Sequence, residues 1–160
     1  MDAKSIYEDF RNIIANHYFD MVGRVTRSEF WYFVLACAVL GIGAAIVGRI
    51  TFLPLNALVG LALLLPIAGM GARRLQDVGK NGALVWALII PSAITQIFAL
   101  LLWGPFGVFG FLAFYFSIGW LLNLIAVVAL MALIYFWCQP GTLGANAYGP
   151  PPGDIVPAAS

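Results

Sequence analysis

The sequence predicts an all-α protein: an integral-membrane four-helix bundle preceded by an amphipathic helix at the membrane surface. Three observations predict it. First, 62% of the 160 residues are hydrophobic and only 9% are charged, against roughly 25% charged in an ordinary soluble domain. Second, the chain contains four apolar stretches of about the 20 residues a membrane-crossing helix needs. Third, its charges gather in short segments between those stretches. With so little polar surface, lipid must cover most of the apolar side chains.

The lead-in, residues 1–28, is polar and amphipathic. Ile6, Phe10, Ile13, Ile14, His17 and Met21 recur at helical spacing. Ser5 followed by Glu8 reads as a capping box, in which each side chain satisfies an orphan backbone donor at the helix start. A helix is expected from about Ile6 to Tyr18, lying on the membrane or against the cytoplasmic helix ends. The polar lead and the acidic residues Asp2, Glu8, Asp9 and Asp20 do not fit a cleavable signal or a transit peptide. The first membrane helix is therefore expected to act as its own insertion signal.

The membrane domain, residues 29–140, follows. Phe30–Gly48 supplies the first span, Phe52–Gly71 the second and Ala83–Trp103 the third. Gly104 to Trp137 carries no charge. As one helix it would be about 50 Å long at 1.5 Å per residue, longer than a hydrocarbon core of about 30 Å. Gly104, Pro105, Gly107 and Gly110 weaken helix at its start. Residues 105–116, rich in aromatics, are therefore read as an interfacial or re-entrant segment, and Ser117–Trp137 as the fourth span. Pro66 is expected to bend the second span. The tail, residues 141–160, is rich in Gly, Pro and Ala, has Asp154 as its one charge, and is too poor in apolar surface to order itself.

Orientation follows from the cations. Lys4, Arg11, Arg24 and Arg27 precede the first span, and Arg73, Arg74 and Lys80 lie at the base of the second or just after it. Only Arg49 falls at the opposite end. Because Lys and Arg concentrate on the cytoplasmic side, both termini are expected in the cytoplasm.

Three segments resemble a known family. Gly23-Arg24-Val25-Thr26-Arg27-Ser28-Glu29-Phe30-Trp31 is similar to its entry motif. Pro66 followed by Arg73-Arg74-Leu75-Gln76-Asp77-Val78-Gly79 is similar to its middle motif, and Gly141 to Pro152, with Gly144, Asn146, Tyr148 and Gly149, to its closing motif. The chain thus resembles the domain of unknown function 805 family of small bacterial inner-membrane proteins along nearly its whole length. The resemblance implies a four-helix membrane domain in a bacterial inner membrane and no established activity. The sequence departs from the family where Gln76 replaces the usual His, where Asn81 stands near a usual Ser, and where the following aromatic is displaced to Trp86.

Two groups of residues stand out as candidate sites. Arg24, Arg27 and Glu29 at the base of the first span, with Arg73, Arg74, Asp77 and Lys80 at the base of the second, form a charge cluster. The short turn between these spans makes their charged ends neighbours, and Arg73 and Arg74 lie within one helical turn of Asp77. The cluster reads as an internal salt-bridge network or as a site for an anionic headgroup, such as that of a phospholipid, since Arg pairs bidentately with carboxylate and phosphate alike. Exchanging Arg74 and Asp77 should preserve the first role and destroy the second. The other group is helix packing: Gly41, Ala44, Ala45 and Gly48 put small residues four apart, which lets helix backbones approach closely, most simply within the bundle.

Thr95, Gln96 and Asn123 fall at membrane depth and read as interhelical hydrogen-bonding groups, since no ionisable residue lies deep in a span. Cys37 and Cys138 imply neither a disulfide nor a metal pair, the single His17 offers no metal site, and no cofactor is indicated. A net charge of +1 without a basic stripe excludes a nucleic-acid partner. No nucleophile–base pair points to catalysis. The expectation is a non-enzymatic inner-membrane scaffold or accessory subunit, in contact with the lipid bilayer and with a larger membrane complex or further copies of itself. The alternative is a binder or transporter of anionic lipid or a small molecule through the arginine cluster.

Overall fold

In the computed structural model, residues 8, 11–15, 18–103 and 107–152 are described. Ser5, Ile6, Phe10 and His17 lie outside them, so the Ser5–Glu8 cap does too. Residues 11–15 are helical (α1), and Ile13, Ile14 and Met21 pack against the bundle core. That contact gives the lead-in a structural role as a cover for the bundle's base.

Four helical runs are long and apolar enough to cross a membrane. They are α2 (Arg27–Thr51), α3 (Leu55–Asp77), the run Gly82–Leu101, and the run Gly107–Cys138. The third opens as a 3₁₀ turn (Gly82–Val85) and continues as α4 (Trp86–Leu101). The fourth comprises α5 (Gly107–Phe114), a π-helical turn (Tyr115–Gly119) and α6 (Trp120–Cys138).

α2 begins where its sequence provides a cap. The Thr26 hydroxyl accepts from the Glu29 amide at 3.3 Å while the Thr26 amide donates to the Glu29 carboxylate at 3.0 Å. This reciprocal pair satisfies two donors that helix geometry leaves without partners. The α2–α3 turn is equally tight: a Cβ on Gly48 would sit 2.8 Å from the Leu53 carbonyl. Gly48 therefore lets the chain reverse directly into α3.

α3 is the central helix. Half of its most apolar stretch is buried inside the bundle, against 11–17% for the other three runs, and it contacts α2, α4 and α6. α4 also packs on α6. The core gathers at the charged end: Phe30 from the start of α2, Met70 and Leu75 from the end of α3, Val85 and Ile89 from the start of the third run, and Trp137 from the end of α6. Trp137 is the keystone of this layer. Its ring lies 4.8 Å from that of Phe30, and its indole N–H donates to the Gly71 carbonyl at 3.1 Å. In lipid, helices gain little hydrophobic energy by meeting, so such close packing and interhelical hydrogen bonds hold them together.

The structure departs from the sequence expectation at two places in the membrane. Residues 107–116 are helical and run on without a break into the fourth span, so the glycines there do not end a helix. They allow close approach instead. A Cβ on Gly110 would fall 3.1 Å from Leu102 at the end of α4, and one on Gly107 would overlap the Leu102 carbonyl. The π-helical turn then absorbs the change of register. Second, Thr95 and Asn123 bond within their own helices, to the carbonyls of Pro91 at 3.0 Å and Gly119 at 2.8 Å. These are four-residue back-bonds rather than bridges between helices. Gln96 alone reaches across, seated so closely on Gly60 of α3 that a Cβ there would collide with its side-chain oxygen.

Candidate functional site

The last turn of α3 carries Arg73, Arg74, Gln76 and Asp77, and burial tells them apart. Arg74 and Asp77 are 1% and 3% exposed. Such charges need partners, because a desolvated ion without one is strongly unfavourable. Asp77 has two. Arg74 donates from Nη1 to Oδ2 across three residues of the helix. Arg24, from 53 residues earlier, places Nε at 2.9 Å and Nη2 at 2.8 Å from Oδ1. The carboxylate therefore ties the loop before α2 to the end of α3.

The remaining donors of these guanidinium groups hold the chain that leaves α6. Arg74 Nε donates to the Trp137 carbonyl at 3.1 Å and Nη2 to that of Gln139. Arg24 donates to the carbonyls of Thr142 at 2.7 Å, Gly144 at 2.7 Å and Gly149 at 3.3 Å. Gly144 and Gly149 have φ of 77° and 123°, a conformation open to glycine at little cost, and it is this backbone course that brings both carbonyls onto one arginine. Thr142 returns two bonds to the Asp77 carbonyl, from its amide at 2.9 Å and its hydroxyl at 3.1 Å. Asn146 donates to the Gln76 carbonyl at 2.9 Å. The segment 141–152 is thus docked. Its poverty in apolar side chains does not matter, because backbone carbonyls supply the attachment to buried arginines.

The other residues of the predicted cluster stand apart from Asp77. Arg27 is exposed and makes a single long bond, 3.5 Å, to the Cys138 carbonyl. Glu29 serves as the α2 cap. Arg73 turns away, donating from Nη2 to the Met70 sulfur at 3.0 Å, while its buried Nε has no hydrogen-bond partner. Lys80 is exposed, with its ammonium 5.5 Å above the Phe136 ring, in range for a cation–π contact. Gln76, which stands where the resembled family usually has His, donates to the Met21 carbonyl at 2.8 Å and leaves its buried Oε1 without a partner.

The small-residue stripe divides as well. Gly48 works inside the bundle, at the α2–α3 turn. A Cβ on Gly41 would meet nothing within 4 Å, and the same holds for Gly43. Ala44 and Ala45 are half-buried. Among the described residues, nothing of this chain closes on the stripe at Gly41 and Gly43.

Two cavities bear on function. A pocket of about 290 Å³ opens between the start of α2 and the docked tail, lined by Arg24, Arg27, Arg74, Asp77, Thr142 and the Pro151–Pro152 turn among others. At the opposite end an apolar cavity of about 560 Å³ lies beside Phe52, Trp103 and Phe111. Among the described residues, no group of three or more His, Cys, Asp or Glu side chains is placed to hold a metal. Both cysteines are free thiols, Cys37 buried and Cys138 exposed.

The three motif segments, far apart in sequence, thus meet at one buried carboxylate. Residues 18–150 match a family described as protein of unknown function (DUF805). The chain belongs to the DUF805 family. It is 30% identical over 142 residues to the inner membrane protein YhaI of Escherichia coli K12, and equally to that of Escherichia coli O157:H7. These alignments cover 87% of this chain and 91% of each relative. No solved structure matches it. The DUF805 assignment and the four apolar runs together make this a multi-pass inner-membrane protein. Within it, the Arg24–Asp77–Arg74 group is the point at which the DUF805 motifs converge. Sequence reasoning placed all three residues near one another but did not join to them Thr142 and Asn146 of the closing motif, which bond the carbonyls of Asp77 and Gln76.

Proposed function

We propose that this chain is a non-enzymatic scaffold or accessory subunit of the inner membrane, oriented with the Asp77 cluster, the loop after α3 and both termini in the cytoplasm. The observation that carries the reading is how the central charges are used. Both Asp77 oxygens face guanidinium groups, and Arg24 makes four hydrogen bonds, one to Asp77 and three to backbone carbonyls. Such an arrangement stiffens one end of a bundle. It holds Asp77 as the ionised partner of two guanidinium groups, a structural use of the carboxylate. The stiff end gives a partner a fixed surface, and the Gly41–Gly43 face of α2 offers a second helix close approach.

Native mass spectrometry of the protein gently extracted from its own membrane tests the assignment. The scaffold reading expects a complex of fixed stoichiometry with other membrane proteins or with further copies of the chain. Recovery only as a bare monomer would sink it. Orientation rests on Arg24, Arg27, Arg73, Arg74 and Lys80 standing at one end against Arg49 at the other. In a background lacking Cys37 and Cys138, a membrane-impermeant thiol reagent added outside should label Phe52→Cys and spare Lys80→Cys. The reverse pattern would refute the orientation.

A further inference from the structure

The side chains of Arg24 and Arg74 are 2% and 1% exposed, yet they share the single carboxylate of Asp77. Carbonyl oxygens solvate these guanidinium groups but do not cancel charge. Among the described residues one positive charge therefore stays uncompensated where water is largely excluded, a situation that buried ions avoid by recruiting a counter-ion. The pocket beside them adds Arg27 to its lining, and Glu29 is bonded to Thr26 of that lining. Three arginines against two carboxylates leave the surroundings one positive charge in excess.

The donors available to meet an anion can be named. Arg24 is committed to Asp77 and to three backbone carbonyls. Arg74 uses three of its five N–H groups, on Asp77, Trp137 and Gln139. Arg27 uses one, over 3.5 Å. Both line the pocket, which is about 290 Å³ in volume, ample for a tetrahedral oxyanion. The walls supplied by Pro140, Pro151 and Pro152 carry no N–H and so do not compete as donors.

We propose that this pocket binds one phosphate group, held by Arg27 and by the uncommitted N–H groups of Arg74. A guanidinium fork suits phosphate because two parallel N–H bonds meet two of its oxygens. A phosphodiester carries the one negative charge that the excess requires. The pocket sits at the charged end of the four apolar helical runs, and basic pockets between membrane helices take anionic headgroups. Free inorganic phosphate has the same recognition chemistry. Arg73 and Lys80 take no part, the first turned to Met70 and the second over Phe136.

The test is native mass spectrometry of the full-length protein after exhaustive exchange into a phosphate-free detergent. Inorganic phosphate, dioleoyl phosphatidylglycerol or dioleoylglycerol, which lacks phosphate, is then added in parallel. The wild type should retain one phosphate-bearing adduct per chain and no stoichiometric dioleoylglycerol. An adduct with inorganic phosphate identifies the free anion as sufficient, and one with phosphatidylglycerol alone identifies a lipid headgroup. Arg27→Gln should bind roughly tenfold or more weakly, the size expected for a lost charge-assisted bond. Arg27→Lys should recover part of the affinity, and Arg49→Gln at the far end should match the wild type. Because Arg27 is exposed and makes one long bond, its thermal unfolding should be unchanged by the substitution. No phosphate adduct on the wild type would overturn the assignment, and so would equal retention by Arg27→Gln.

Discussion

Asp77→Asn is expected to lower the stability of the bundle by about 3–5 kcal/mol, the usual cost of removing one partner from a buried ion pair. The substitution keeps the side chain's shape but removes the charge and turns one acceptor oxygen into an N–H donor that faces a guanidinium group, so little of the loss comes from packing. Asp77 is 3% exposed, which leaves solvent almost no means of screening the two arginines it abandons. Their N–H groups would still find carbonyls, but their charges would sit in a low-dielectric site with no anion beside them. The loss should also be visible locally. Thr142 and the 144–149 loop are held by Arg24, and Arg24 is held by Asp77. Protease cleavage within 142–152 should accelerate sharply in Asp77→Asn. Reversible unfolding in a mild detergent, followed by circular dichroism, gives the stability change, and a loss under about 1 kcal/mol would refute the central role assigned to this carboxylate.

The same geometry changes the outcome expected for the exchange of Arg74 and Asp77. Read from sequence, the two form a pair within one helical turn, and exchanging them should preserve it. In the folded chain Arg24 shares the carboxylate at 2.8 Å. An arginine at position 77 would therefore face another arginine, and an aspartate at 74 would face the carbonyls of Trp137 and Gln139 that Arg74 now serves. The double exchange should be no more stable than Asp77→Asn alone.

The four spans were legible because lipid exposure leaves a direct compositional trace: runs of about 20 apolar residues separated by charge. The nearness of Arg24, Arg74 and Asp77 was legible for a similar reason, since a short turn between two spans makes their ends neighbours. Their wiring was not. The bond between Arg24 and Asp77 joins residues 53 apart, and most acceptors of both arginines are backbone carbonyls, which have no signature in side-chain identity. The docked tail escaped notice on the same ground. Its glycines read as a sign of disorder, whereas Gly144 and Gly149 bend the backbone so that its carbonyls converge. The glycines at 107 and 110 misled in the opposite sense, since helix propensity says they weaken a helix and tertiary packing uses them for close contact with Leu102. One signal was present and unused. Thr26 and Glu29 have capping-box spacing, and they open the first span.

Gly141→Ala should release the tail without altering any charge, which makes it the complement of Asp77→Asn. A Cβ at position 141 would lie 2.8 Å from the Asp77 carboxyl carbon and 2.9 Å from Oδ1, with Oδ2 nearer still. A flexible side chain could swing aside, but this carboxylate is fixed through both oxygens by Arg24 and Arg74. The backbone at 141 must then move, and it is one residue from Thr142, whose amide and hydroxyl both bond the Asp77 carbonyl. Overpacking of this kind costs about 1–3 kcal/mol, and here the damage should concentrate in faster proteolysis of 142–152. For the isolated chain in detergent, Gly41→Ala is the matched control. A Cβ there meets open space, and in a helix interior alanine is favoured over glycine by about 1 kcal/mol. The two glycine substitutions should therefore move stability in opposite directions. If Gly141→Ala leaves both stability and tail protection unchanged, the tail is not seated on Asp77. If it frees the tail while the bundle keeps nearly all its stability, the tail is a passenger on the ion pairs. A loss of stability in proportion to tail release would instead make the docked carbonyls part of what keeps two buried arginines tolerable.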